Sequence, residues 1–122
     1  MKVSDFRQIF EAYGGDYTAT IKRFVGNEKM YLRILNMLFA DENLQNLQDS
    51  VEQEDWDGAF AAAHTLKGVT GNLGLQPLYA AVCAIVEPLR SKEKADYRTL
   101  YANIAAEFSR AERLRDALRG GI

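Results

Sequence analysis

Apolar residues recur three and four positions apart along most of the chain, and they do so in blocks that polar or glycine-containing stretches interrupt. The first block, "VSDFRQIFEAYGGD", places Val3, Phe6, Ile9 and Phe10 at helical spacing. Ser4 or Asp5 can cap it, and Gly14-Gly15 stops it. A second, short helix is expected over about 16–25, with Tyr17, Ile21 and Phe24 on one side and Gly26-Asn27 as its break. From Glu28 the pattern strengthens through Tyr31, Ile34, Leu35, Leu38 and Phe39. "ADEN" at 40–43 interrupts it, with Asp41 a candidate N-cap, and Leu44, Leu47 and Val51 carry a helix on to about Gln53. One kinked rod and two separate helices both fit this stretch.

Asp55 is placed to cap the next helix, and Asp57 sits in its first turn, where the helix dipole favours negative charge. Phe60, Ala63, Leu66, Thr70 and Leu73 then fall near the spacing of an inward face, and Asn72–Gly74 is a stop signal. Pro77 suits the first turn of a following helix, where its missing N–H costs nothing. Leu75, Leu78, Val82, Ile85 and Leu89 form that helix's stripe over about 76–90, and Pro88 should end or kink it in its last turn. "RSKEKAD" reads as a polar connection. The last helix runs to about Leu118 on Tyr97, Leu100, Ile104, Phe108, Ala111, Leu114 and Leu118, and "RGGI" frays. Long amphipathic helices with short connections predict an all-α fold: one domain over 1–122, built as an antiparallel four-helix bundle with a core over about 28–118 and short N-terminal helices packed on it.

Composition narrows the function. With 122 residues, 48% hydrophobic and 26% charged, the chain can bury a core without staples. The net charge of −2, with both signs interspersed, offers nothing to nucleic acid. The start, "MKVSDFRQIF", lacks an apolar signal core, and no apolar run nears the roughly 18 residues that span a bilayer. A single cysteine, Cys83, excludes an internal disulfide and fits a reducing, cytoplasmic compartment, where it reads as a small buried hydrophobe. One histidine and one cysteine do not make a zinc set, so no metal is expected. No P-loop, dinucleotide fingerprint or nucleophile elbow occurs. Trp56 reads as packing at the start of its helix, and Tyr79 and Tyr101 as core edge or docking surface, with the core favoured.

The remaining chemistry lies in "HTLKGVTGNLG", residues 64–74, which holds the only histidine. With Ala63 and Leu66 inward, His64 is rotated by about 100° from Ala63 and shares a face with Lys67, Gly68 and Gly71, three, four and seven residues on. That face is a shelf for the imidazole with little beside it. Glycine within a helix costs about 0.5–1 kcal/mol relative to alanine, which is tolerable where another molecule must come close. Lys67 offers a charge to a phosphoryl oxygen or acidic partner and disfavours imidazolium, leaving a nucleophilic nitrogen. Neutral imidazole can attack phosphorus without a general base, so phosphohistidine is attainable with very few residues.

"AHTLKGVTGNLGLQPL" resembles the histidine-containing phosphotransfer (HPt) domain pattern, H-x-L-K-G with a following L-G and a further Leu; His64, Leu66, Lys67, Gly68, Leu73, Gly74 and Leu78 fill those positions. "FVGNEKMYLRILNMLF" is similar to the helix that precedes the motif. The resemblance spans roughly 16–118 and implies a four-helix bundle that relays phosphoryl groups between receiver-domain aspartates in two-component phosphorelays. It implies a phosphocarrier without kinase activity of its own, with no cofactor and with Mg²⁺ supplied by the receiver. His64 would be the phosphorylated residue, Lys67 its electrostatic support, and Gly68 the room for a docking partner, to which the shelf on the helix face adds Gly71. Response-regulator receivers and a hybrid histidine kinase are the implied partners, and a bundle that completes its own core is expected to be a monomer. Two departures stand out. Thr70 replaces a common Ala or Ser, its hydroxyl free to bond back to the preceding turn. A polar residue to support the imidazole is not obvious in "CAIVEPL", where Glu87 is a candidate by position. Two rival readings remain open: a module that binds receivers without transferring phosphate, and a phosphoacceptor domain cut from a larger hybrid or chemotaxis-type kinase.

Overall fold

Local capping chemistry decides most of the helix boundaries. A computed structural model of the chain describes residues 3–120, with side chains from Asp5 onward. The expectations for the side chains of Val3 and Ser4, and for fraying at Gly121-Ile122, fall outside those residues. The helices are α1 (Val3–Tyr13), α2 (Tyr17–Lys22), α3 (Glu28–Ala40), α4 (Asn43–Glu52), α5 (Trp56–Asn72), α6 (Gln76–Arg90) and α7 (Tyr97–Gly120). The Asp16, Asn27 and Asp55 side chains accept from the backbone N–H of Ala19, Met30 and Gly58, and so cap α2, α3 and α5. The ambiguous stretch around 40–43 is two helices: the chain turns extended at Asp41, whose carboxylate accepts from the Asn43 backbone N–H. α2 is shorter than expected because the chain leaves the helix after Lys22 and turns through Val25 and Gly26, both at positive φ.

Four helices form a closed ring: α5 packs on α4 and α6, α6 on α7, and α7 on α4. Their directions follow from the side chains that meet. Trp56 at the start of α5 lies 4.9 Å from Tyr97 at the start of α7. Arg90 at the end of α6 reaches Phe60 near the start of α5. Sequential neighbours therefore run antiparallel, as short connections require. Inward-facing Ala59, Ala62, Ala63 and Leu66 of α5 meet Leu78, Val82, Ile85 and Val86 of α6 in the core, with Ile104, Leu114 and Leu118 from α7. Pro88 does not stop α6, which continues for two more residues to Arg90. The carbonyl that a residue at 88 would have bonded is that of Ala84, on the exposed side.

The N-terminal helices contribute to the core as well as covering it. α1 and α3 pack on α7, and Phe6, Phe10 and Tyr31 are essentially fully buried. Phe6, Phe10 and Phe24 each meet the Tyr31 ring edge-on at 5.1–6.0 Å. The Tyr31 hydroxyl then donates to the Leu73 carbonyl at 2.6 Å, in the turn that ends α5. That turn is closed by bonds from the Gly74 N–H to the Gly71 carbonyl and from the Leu75 N–H to the Thr70 carbonyl. It needs the positive φ of Gly74 (+66°), and a Cβ there would collide with Thr20 of α2. Arg23 donates to the carbonyls of Gly71 and Asn72 at 3.2 and 3.0 Å. The unpaired carbonyl end of α5 is thus satisfied by Arg23 just after α2, by Tyr31 of α3 and by its own turn.

Two outcomes follow. Tyr31→Phe leaves the buried Leu73 carbonyl unpaired and should cost about 1–3 kcal/mol in urea unfolding, whereas removing the exposed Arg7–Glu11 pair should cost little. The Tyr13 and Tyr17 hydroxyls are pushed up to about 12, chiefly by burial, from an ordinary value of 10.0. Burial raises Tyr31 further still. The unfolded chain therefore loses these protons first. Stability that is complete below pH 10 should fall as the pH rises through 12, visible as a melting temperature that drops steeply in that window.

Candidate functional site

α5 owes its two faces to a simple arrangement. The alanines and Leu66 turn inward, and the residues between them face solvent: His64, Thr65 and Gly68 are exposed and Lys67 is half-buried. Thr70, the departure from the common pattern, is fully buried, with its hydroxyl donating to the Leu66 carbonyl at 2.7 Å. A polar side chain at this core position is therefore satisfied within its own helix.

The structure brings His64, Lys67 and Gly68 together on one open surface. A Cβ added at Gly68 would meet nothing within 4 Å, so no packing inside the chain demands glycine there. Gly71 differs. A Cβ there would stand 3.0 Å from the Tyr79 ring of α6, so the absence of a side chain lets Tyr79 lie across the helix. Lys67 Nζ lies 3.7 Å from Glu87 Oε1 of α6, across the α5–α6 seam. Glu87, the positional candidate for holding the imidazole, is thus the partner of Lys67. The pair is partly exposed, worth at most about 1 kcal/mol, and readily exchanged for another anion. Cys83 is half-buried on the same helix, more open than a core hydrophobe.

The sequence pattern missed the neighbour of the imidazole. Phe60, assigned to the inward stripe, is half-buried at the edge of the core, and its ring centroid lies 5.5 Å from that of His64 at an interplanar angle of 33°. Its position four residues before His64 is the signal that could have found it. Arg90 Cζ sits 5.7 Å from the centre of the Phe60 ring. That contact joins two helices and had no signal in the sequence.

The site is a surface and not a pocket. A cavity of about 1030 Å³ lies where the α4–α5 and α6–α7 connections meet, lined by Trp56, Leu89, Tyr97 and charged loop residues. His64, Lys67 and Gly68 do not line it. A nucleophile on a convex helix face has neither walls to exclude water nor groups to bind a small substrate.

A family model described as the Hpt domain matches residues 36–119, well over half of the chain. The chain belongs to the Hpt domain family. Membership gives it a phosphotransfer role in two-component signalling and an association with the receiver domains and kinases of phosphorelays. Comparison with curated proteins and with solved structures found no match. α1, α2 and the first part of α3, including Arg23 and Tyr31 that close the end of α5, lie outside the match. Among the described residues, no helix is long and apolar enough to cross a membrane.

The two glycines of the face should respond differently to alanine. Gly68→Ala fills open space in a helix interior and should stabilise the protein by about 0.5–1 kcal/mol. Gly71→Ala must displace the Tyr79 ring, so its gain should be smaller or reversed. Urea unfolding of the two variants beside wild type measures the difference.

Proposed function

We propose that this protein is a phosphorelay intermediate that accepts a phosphoryl group on His64 from a receiver-domain phosphoaspartate and passes it to another receiver aspartate. The observation that carries this reading is the position of His64: the only imidazole of the chain stands exposed on an open helix face, with a lysine and a side-chain-free glycine one turn away. In the transfer, the unprotonated ring nitrogen forms an N–P bond as the P–O bond to the aspartyl carboxylate breaks. The electron pair leaves on the carboxylate oxygen, and the proton on the other ring nitrogen passes to solvent. The second transfer reverses these steps on a new aspartate.

The chain's residues contribute position and charge. Gly68 leaves clearance for the receiver surface at the ring. Lys67 can exchange Glu87 for a phosphoryl oxygen at little cost, because the existing pair is long and partly solvated. On this reading the chain carries no cofactor of its own, and Mg²⁺ comes with the receiver. The protein is a phosphocarrier with no kinase activity of its own, supplied through receivers by a hybrid histidine kinase, working as a cytoplasmic monomer.

The test is phosphotransfer from a panel of phosphorylated receivers with Mg²⁺. Wild type should take an acid-labile, alkali-stable label, and His64→Gln should take none while keeping its melting temperature. Gly68→Gln should transfer more slowly by at least about tenfold, since a misplacement near 1 Å can cost a hundredfold; transfer at the wild-type rate would remove the steric role of Gly68. A protein that binds receivers yet forms no phosphohistidine would be a docking module instead.

A further inference from the structure

We propose that Phe60 is the positioning residue of His64, and that Arg90 holds Phe60 in place. The inference rests on His64 being the phosphoryl acceptor. An exposed histidine on a helix is free to change rotamer, whereas in-line transfer requires its ring edge to point at phosphorus when the partner docks. Among the described residues, no hydrogen bond orients the imidazole, since Glu87 is directed to Lys67. The ordered neighbour is Phe60. Its ring lies 5.5 Å from the imidazole at 33°, within the range of attractive aromatic pairs. A tilted stack of this kind covers one face of the imidazole and leaves the edge, which carries both nitrogens, free to react.

Phe60 is itself held from two sides. Its half-buried ring packs against the core edge, and the Arg90 guanidinium of α6 lies 5.7 Å from its centre. Arg90, Phe60 and His64 therefore form a layered contact that begins on α6 and ends at the reactive ring. Phe60 acts through His64 and touches no reacting atom, which separates its role from that of Lys67.

Because the chain contains one histidine, its imidazole proton resonances can be read without assignment. In Phe60→Leu, which keeps an apolar side chain, the ring-current displacement of those resonances should disappear and the transfer rate constant should fall about tenfold, with receiver Kd unchanged. Phe60→Tyr should restore both. Arg90→Gln should reproduce a smaller loss that Arg90→Lys repairs. Wild-type transfer by Phe60→Leu, unmoved imidazole resonances, or a loss confined to receiver affinity would each overturn the proposal, the last by making Phe60 a docking contact. If wild type accepts no label from any receiver, the phosphorelay reading fails on its own, and the resonance shift still decides whether Phe60 holds the ring.

Discussion

The end of α5 is the constraint on which the rest of the structure depends. A helix leaves its last carbonyls unpaired, and a buried carbonyl without a partner costs as much as a lost hydrogen bond. Here the Thr70 and Gly71 carbonyls accept from the turn itself, those of Gly71 and Asn72 accept from Arg23, and that of Leu73 accepts from the Tyr31 hydroxyl. These bonds tie the N-terminal helices to the helix that carries His64. They also explain why the aromatic cluster of Phe6, Phe10, Phe24 and Tyr31 sits where it does: Tyr31 has to reach a carbonyl at one end and fill a core at the other.

The same helix resolves a conflict between stability and access. Its inward residues are mostly small, which lets α4 and α6 come close on either side. Its outward residues offer an imidazole, a loosely paired cation and a glycine with no structural duty. Close packing on the inside makes the outer surface rigid. A rigid, convex surface suits a group that must be presented to more than one partner active site, and it is poorly suited to enclosing a small substrate. The Hpt domain's phosphotransfer role is consistent with such a surface.

The sequence alone determined most of the helices and inward faces, apart from the break between α3 and α4, the end of α2 and the place of Phe60, together with the placement of His64, Lys67 and Gly68 on one side of α5. Each of these is a local property: helix periodicity sets which residues share a face, and caps such as Asp55 and Gly74 act within a few residues. The family pattern was legible for the same reason, since H-x-L-K-G lies within two turns of one helix. Tertiary structure decided the rest. Whether Glu87 would face His64 or Lys67 depended on the register of α6 against α5. Gly68 and Gly71 look alike in the sequence, yet only the approach of Tyr79 separates an open position from a packed one. The contact of Arg90 with Phe60, and the reach of Tyr31 and Arg23 to the end of α5, join residues far apart in the chain. Such contacts follow from how the helices pack around a shared core, and helix periodicity carries no information about which side chains meet across a seam.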